Sequence, residues 1–253
     1  MVFDFKKEYK AYYLPARRPQ FVNVPPMRCI AVRGDGDPNE PDGAYHQALA
    51  MLYAVAYTIK MSKKGDHTIA GYFDFVVPPL EGFWWQRDGG AVDFAHKEGF
   101  AWISAIRMPD FVAAQDVAWA KAQAAIKKKL DCSAVEFLRV DEGPCVQCLH
   151  VGSYDDEPAT IAAMDMYTRA HGCTPDFADA RRHHEIYLSD PRRVAPDKLK
   201  TVIRHPVRAV EGAAASAVEH GSVVDSVAAD ATDGLPTGFG ACIPMPEFTT
   251  IDR

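Results

Sequence analysis

Two stretches of the chain carry the same alternation of apolar and polar positions. The first opens on the strand-like run Met27-Arg28-Cys29-Ile30-Ala31-Val32 and meets a dense turn signal at Gly34-Asp35-Gly36-Asp37-Pro38. Beyond it Tyr45, Ala48, Leu49, Leu52, Val55, Ala56 and Ile59 recur at three- and four-residue steps, which predicts a helix with one apolar stripe. Lys60, Lys63 and Lys64 suit the carboxyl end of its dipole. Residues 72–77 read as a strand that Pro78-Pro79 must stop, because proline cannot continue a hydrogen-bond ladder. The connection carries Leu80-Glu81-Gly82-Phe83-Trp84-Trp85, a strand follows over 100–107, and the stretch closes on Ile106-Arg107-Met108-Pro109.

The second stretch repeats that plan. A bridging helix is predicted over 110–129, with Asp110 as its N-cap. A strand over 145–151 turns at Gly152 into a helix near 157–171, with Asp155 and Asp156 as capping candidates and Ile161, Met164 and Tyr167 on one face. The run His183-His184-Glu185-Ile186-Tyr187-Leu188 reads as a strand ended by Ser189-Asp190-Pro191, and Ile203-Arg204-His205-Pro206 echoes the close of the first stretch. Two copies of one strand-helix-strand-strand unit explain the pattern and make an α+β fold with a cleft where the copies meet. The expected domain spans residues 1–208, with copy one at about 26–109, the bridging helix at about 110–130 and copy two at about 134–208. Residues 209–253, rich in Ala, Ser, Gly and Asp, are expected to form a disordered tail, because their few large apolar groups cannot repay the entropy of ordering.

Composition narrows the function. The 253 residues are 48% apolar and carry a formal net charge of −6, which leaves no electrostatic footprint for direct nucleic-acid binding. Lys127-Lys128-Lys129, the densest basic run, reads as a solvated helix end. The amino terminus lacks the apolar stretch of a secretory signal and no segment has membrane-spanning length, so a cytoplasmic protein without a membrane partner is expected. Cys145 and Cys148 have CxxC spacing, but on a strand they point to opposite faces and no second pair follows. No cofactor or metal is expected, and no Gly-x-Ser-x-Gly elbow marks a serine nucleophile. A duplicated unit supplies internally what a symmetric dimer supplies between chains, so a monomer is expected.

Glu185 is the main candidate for chemistry. An acid in the middle of a buried strand is costly unless it has a role or a partner. Alternation places His183, Glu185 and Tyr187 on one face of the strand and His184, Ile186 and Leu188 on the other. Ile186 and Leu188 belong against the helices, so Glu185 is expected to point to the opposite side of the sheet. Burial there raises a glutamate pKa and a bound cation lowers it; on an open face Glu185 is only a surface glutamate. Asp74 is its first-copy counterpart. Trp84 and Trp85 are adjacent, so one of them can share the side of Glu185, and Trp102 can reach it from its own strand. Several tryptophans near an acid suit a planar, apolar ligand, although core packing is the ordinary role of each. His150, with His183 and Glu185, would offer ligand types that zinc accepts, but the spacing matches no metal signature.

Gly143-Pro144-Cys145-Val146-Gln147-Cys148-Leu149-His150-Val151-Gly152, the turn Tyr154-Asp155-Asp156-Glu157-Pro158 and His183-His184-Glu185-Ile186-Tyr187-Leu188-Ser189-Asp190-Pro191 resemble the gyrase-inhibitor-like (GyrI-like) small-molecule-binding family. Gly34-Asp35-Gly36-Asp37-Pro38-Asn39, Tyr57-Thr58-Ile59-Lys60-Met61 and Pro79-Leu80-Glu81-Gly82-Phe83-Trp84-Trp85 resemble its stand-alone bacterial members. The resemblance implies one antiparallel sheet built from a pseudo-twofold pair of units, with helices on one face and a ligand groove on the other. It implies that Glu185 contacts the ligand. It also implies a small-molecule partner, and some stand-alone relatives hydrolyse the cyclopropane of DNA-alkylating natural products. Members fused to DNA-binding domains act as drug sensors, but no helix-turn-helix precedes this domain. The expected site therefore has Glu185 as base and Tyr187 as hydrogen-bond donor, with Trp84, Trp85, Trp102, His183, Tyr154 and His150 around the ligand. The expected activities are hydrolysis of such toxins, binding of cationic drugs without chemistry, or shielding of a partner macromolecule by the outer surface.

Overall fold

The computed structural model describes residues 2–65, 67–89, 92–179 and 181–210. The tail expected over 209–253 lies outside the described residues from 211 onward. In chain order the elements are two single helical turns, α1 (Phe5–Glu8) and α2 (Lys10–Tyr13), then β1 (Gln20–Val24), β2 (Met27–Asp35), α3 (Ala44–Lys60), β3 (Leu80–Gln86) and β4 (Phe100–Arg107). After them come α4 (Ala114–Lys128), β5 (Glu136–Val140), β6 (Gly143–Val151), α5 (Glu157–Ala170), β7 (Cys173–Pro175), β8 (His183–Tyr187) and β9 (Lys200–Ala209). The result is α+β, as expected, and the strand-helix-strand-strand order β2-α3-β3-β4 recurs as β6-α5-β8-β9.

All strands join in one antiparallel sheet of order β1-β6-β9-β8-β3-β4-β2-β5, with β7 added on β9. The two units meet at β3 and β8, where Glu81, Gly82, Phe83 and Trp84 pair with Ile186, Glu185, His184 and His183. Each unit also lends a strand to the other: β1 precedes β2 but pairs with β6, and β5 precedes β6 but pairs with β2. This exchange gives both outer strands a partner and ties the units together beyond the central seam.

The apolar stripe read for α3 holds. Ala48, Leu52, Val55, Ala56 and Ile59 are buried and pack in one core with Ile30, Val32, Trp84, Trp102 and Ile106 of the sheet. Under α5 a smaller core joins Met164 to Val146, Cys148 and Ile203. The bridging helix starts later than expected. Asp116, inside its first turn, accepts the Ala113 N–H at 2.9 Å, while Asp110 only lends its carbonyl to Arg28.

One strand was misplaced by the pattern. Residues 72–77 form no strand; Phe75 makes only an isolated bridge to Phe3, and the first-copy strand beside β8 is Leu80–Gln86. Asp74 therefore lies in an irregular segment, where Lys60 and Lys63 pair with it at 3.3 and 2.7 Å. It is no counterpart of Glu185. The residue facing Glu185 across the seam is Gly82.

Candidate functional site

Alternation along β8 sorts its residues as read, with His183, Glu185 and Tyr187 sharing a face. That face, however, is the one on which α3 and α5 pack. Trp84, paired with His183, lies with its ring 5.4 Å from Tyr45 of α3, and Tyr45 stands edge-on to Trp102 at 5.2 Å. Glu185 thus sits between the amino-terminal ends of the two helices and not on the side away from them.

A chain of hydrogen bonds fixes it. Trp84 Nε1 donates to Tyr187 Oη at 2.9 Å, and Tyr187 Oη donates to Glu185 Oε2 at 2.7 Å. His183 Nε2 lies 2.8 Å from Glu185 Oε1, and its Nδ1 lies 2.7 Å from His205 Nε2. Glycine at position 82 is what allows this arrangement: a Cβ there would fall 2.6 Å from Trp84 Nε1 and 2.8 Å from Tyr187 Oη. Gly34 serves the floor in the same way, since a Cβ would fall 2.4 Å from the Trp102 ring.

The residue that the sequence reading missed is Glu157. It opens α5, where an acid ordinarily serves only the helix dipole. Here it is 0% exposed, and neither carboxylate oxygen has a hydrogen-bond partner among the described residues. Glu157, His183 and Glu185 each bring one oxygen or nitrogen to within 4.8 Å of the others. Ligand-type groups of this kind could hold a cation, and no other such cluster occurs among the described residues. His150 is not part of it, because its ring is held by Thr160 Oγ1 and the Ser153 carbonyl behind the turn that leads into α5.

The two carboxyl groups are driven in opposite directions. Burial works against a charge on Glu185, which is 6% exposed, yet the hydrogen bond and charge of His183, with the Tyr187 hydroxyl, outweigh it and hold the carboxyl below its ordinary value. For Glu157 only the neighbouring Thr201 hydroxyl works the other way, and it is outweighed. Burial first, then the charge of Glu185, raises its pKa well above the ordinary range. Close acids with separated pKa values form an acid and base pair by environment alone. Burial and the Glu185 charge also raise Tyr187 well above its usual value and push Tyr154 up to about 12, so both phenols stay protonated. Burial, then the neighbouring His183, lowers His205 and keeps it neutral.

Over this centre lie Tyr154, edge-on to Tyr187 at 5.9 Å, and Phe94, edge-on to His183 at 6.4 Å. Lys97 and Asp155 join the two covering segments through an ion pair at 2.8 Å. Trp84 and Trp102 belong to the wall and floor. Trp85 does not; it turns to the other face of the sheet, where the Arg182 guanidinium stacks on it at 4.7 Å.

The opposite face of β8 carries a different network. His184 stacks on Phe83 and bridges Glu142 Oε1 at 2.9 Å and Glu81 Oε2 at 3.1 Å. Arg204 Nη1 donates to Glu142 Oε2 at 2.9 Å, and the Tyr13 hydroxyl donates to Glu81 Oε1 at 3.0 Å. Burial opposes the charges of His184 and Glu142, but their mutual contact raises the imidazole and, with Arg204, pulls Glu142 down to about 2.

Solved structures resemble this chain in sequence and fold. A hydrolase from Listeria innocua is 45% identical with a TM-score of 0.74, and 81% of this chain covers 100% of it. A second structure of a hydrolase from that organism shows 46% identity and a TM-score of 0.76 over 82% of this chain and 100% of its own. An uncharacterized conserved protein from the same species gives 46% and 0.76 over 81% of this chain and 100% of its own. No curated protein matches the chain. The model of the GyrI-like small molecule binding domain matches residues 17–208, and the chain belongs to that family.

Proposed function

We propose that this small-molecule-binding domain hydrolyses the strained ring of cyclopropane-bearing, DNA-alkylating compounds at the Glu157–Glu185 pair. The observation that carries the reading is the pair itself: two buried carboxyl groups close together, with His183 and Tyr187 bonded to only one of them. The two structures of a hydrolase from Listeria innocua support an enzymatic role.

In the proposed reaction a flat substrate lies against Trp84 after Phe94 and Tyr154 give way. Glu185 takes a proton from water as the water oxygen bonds to a ring carbon. The ring C–C bond breaks and its electron pair flows into a conjugated carbonyl, whose oxygen takes the proton of Glu157. Passing the new proton from Glu185 to Glu157 restores the starting pair, so one water is added and no other reactant is needed. Tyr187 orients Glu185 in this scheme, because its hydroxyl proton is already committed to Oε2.

A second reading rests on the same ionised Glu185. A buried anion beside Trp84 and Tyr154 suits a cationic drug that is held without chemistry. Incubation of the full chain with a duocarmycin-type compound, followed by mass, separates the two. The hydrolase adds one water, and Glu185→Gln and Glu157→Gln bind the compound but do not turn it over. Unchanged compound with wild-type protein, and loss of cation affinity in Glu185→Gln, would leave the binding reading.

A further inference from the structure

Arg107, near the end of β4, turns away from Glu185 to the other face of the sheet. There a cavity of about 210 Å³ lies between the amino-terminal arm and the sheet. Phe3, Phe5, Tyr9 and Phe73 form its aromatic walls, Arg107 its back, and Asp110 part of its rim. The Arg107 guanidinium stands 5.1 Å from the Phe5 ring and 4.5 Å from the Tyr9 ring. It is 6% exposed, and its Nη1 has no hydrogen-bond partner among the described residues.

A buried cation in that state needs a counter-charge, because desolvation of an unpaired ion is expensive. Among the described residues no carboxylate makes an ion pair with it, Asp110 on the cavity rim included. Glu81 and Glu142 are engaged by His184 and Arg204, so two negative charges already face two positive ones. Arg107 is left with the Tyr13 hydroxyl, a neutral neighbour, and with no ion pair of its own. Two aromatic faces soften its desolvation, but cation–π contact is worth less than an ion pair of good geometry.

We propose that this cavity binds a small organic monoanion, a carboxylate on a planar apolar body, with its charge on Arg107 and its body between the aromatic walls. Asp110 at the rim disfavours phosphate and dicarboxylates, which would bring a second negative charge beside it. The volume suits a single-ring acid. The site is independent of the Glu185 groove and of the reaction proposed there.

The full chain should bind benzoate saturably at one site in calorimetry, with the Arg107 guanidinium resonance shifting to the same saturation, and inorganic phosphate should not compete. Arg107→Met should weaken benzoate by about ten- to hundredfold, the worth of a charge-assisted hydrogen bond. That variant should still fold, since an apolar side chain replaces an unpaired buried charge. Phe73→Ala, at a position 42% exposed, gives a second check: several-fold weaker binding with an unchanged melting temperature. Absence of saturable benzoate binding to the full chain would overturn the proposal and leave a water as sufficient partner for Arg107. Binding undiminished in both variants would overturn it as well.

Discussion

His183 and His184 are neighbours in sequence and opposites in surroundings. His184 is saturated: both ring nitrogens meet buried carboxylates, Arg204 completes the set, and the charges balance. Around His183 the set is incomplete, since Glu157 is buried with both oxygens unpartnered, as are Thr201 Oγ1 and His205 Nδ1. The first arrangement holds the amino-terminal arm, because Arg204 also donates to the Tyr12 carbonyl and Tyr13 to Glu81. The second keeps unused donors and acceptors buried between two helices, which costs stability. A saturated buried network reads as structure and an unsaturated one as function.

Breaking the saturated side should have the largest effect. Glu142→Ala leaves His184 and Arg204 without their shared acid and should cost about 3–5 kcal/mol in urea unfolding, as for one partner removed from a buried ion pair. On the other side Glu157→Gln keeps the shape of a protonated acid and should cost little. The two acids also respond oppositely to pH. Glu142 has a depressed folded pKa, so its contribution is complete above the ordinary value of 4.5 and is lost as pH falls toward about 2. Glu157 has a raised folded pKa, so its contribution is complete below 4.5 and is lost as pH rises through the folded value. Unfolding midpoints at about pH 5 and about pH 8 should therefore fall less in Glu157→Gln than in wild type.

Smaller changes sharpen the contrast. Tyr187→Phe removes the donor to Glu185 and the acceptor of Trp84 Nε1; it should cost about 1–2 kcal/mol and raise the Glu185 pKa, read by carboxyl NMR. Lys97→Met breaks a partly exposed ion pair of the cover and should change stability by no more than about 0.5 kcal/mol.

Period and turn chemistry were enough to read much of this from sequence. The α3 stripe, the strands read at 27–32, 100–107 and 145–151, and the facing of His183, Glu185 and Tyr187 follow from local spacing, although the first strand runs on to Asp35. Residues 72–77 misled because their aromatic and β-branched content imitates a strand, whereas Leu80–Gln86, buried on both faces, shows no alternation to detect. The side of the sheet taken by Glu185 depends on where the helices fold back, which strand alternation does not encode. Glu157 was hidden for a related reason. An acid at a helix start is ordinary, and only the approach of α5 to β8 makes it exceptional.

The central claim is that the pKa values of Glu185 and Glu157 are driven apart, Glu185 below the ordinary glutamate value and Glu157 well above it. Carbon-detected NMR titration of the glutamate side chains, assigned through Glu185→Gln and Glu157→Gln, tests it directly. The account expects one carboxyl to titrate below 4.5 and vanish in Glu185→Gln, and another to titrate well above 4.5 and vanish in Glu157→Gln. Two carboxyls titrating together near 4.5 would contradict it and remove the basis for an acid and base pair in the groove.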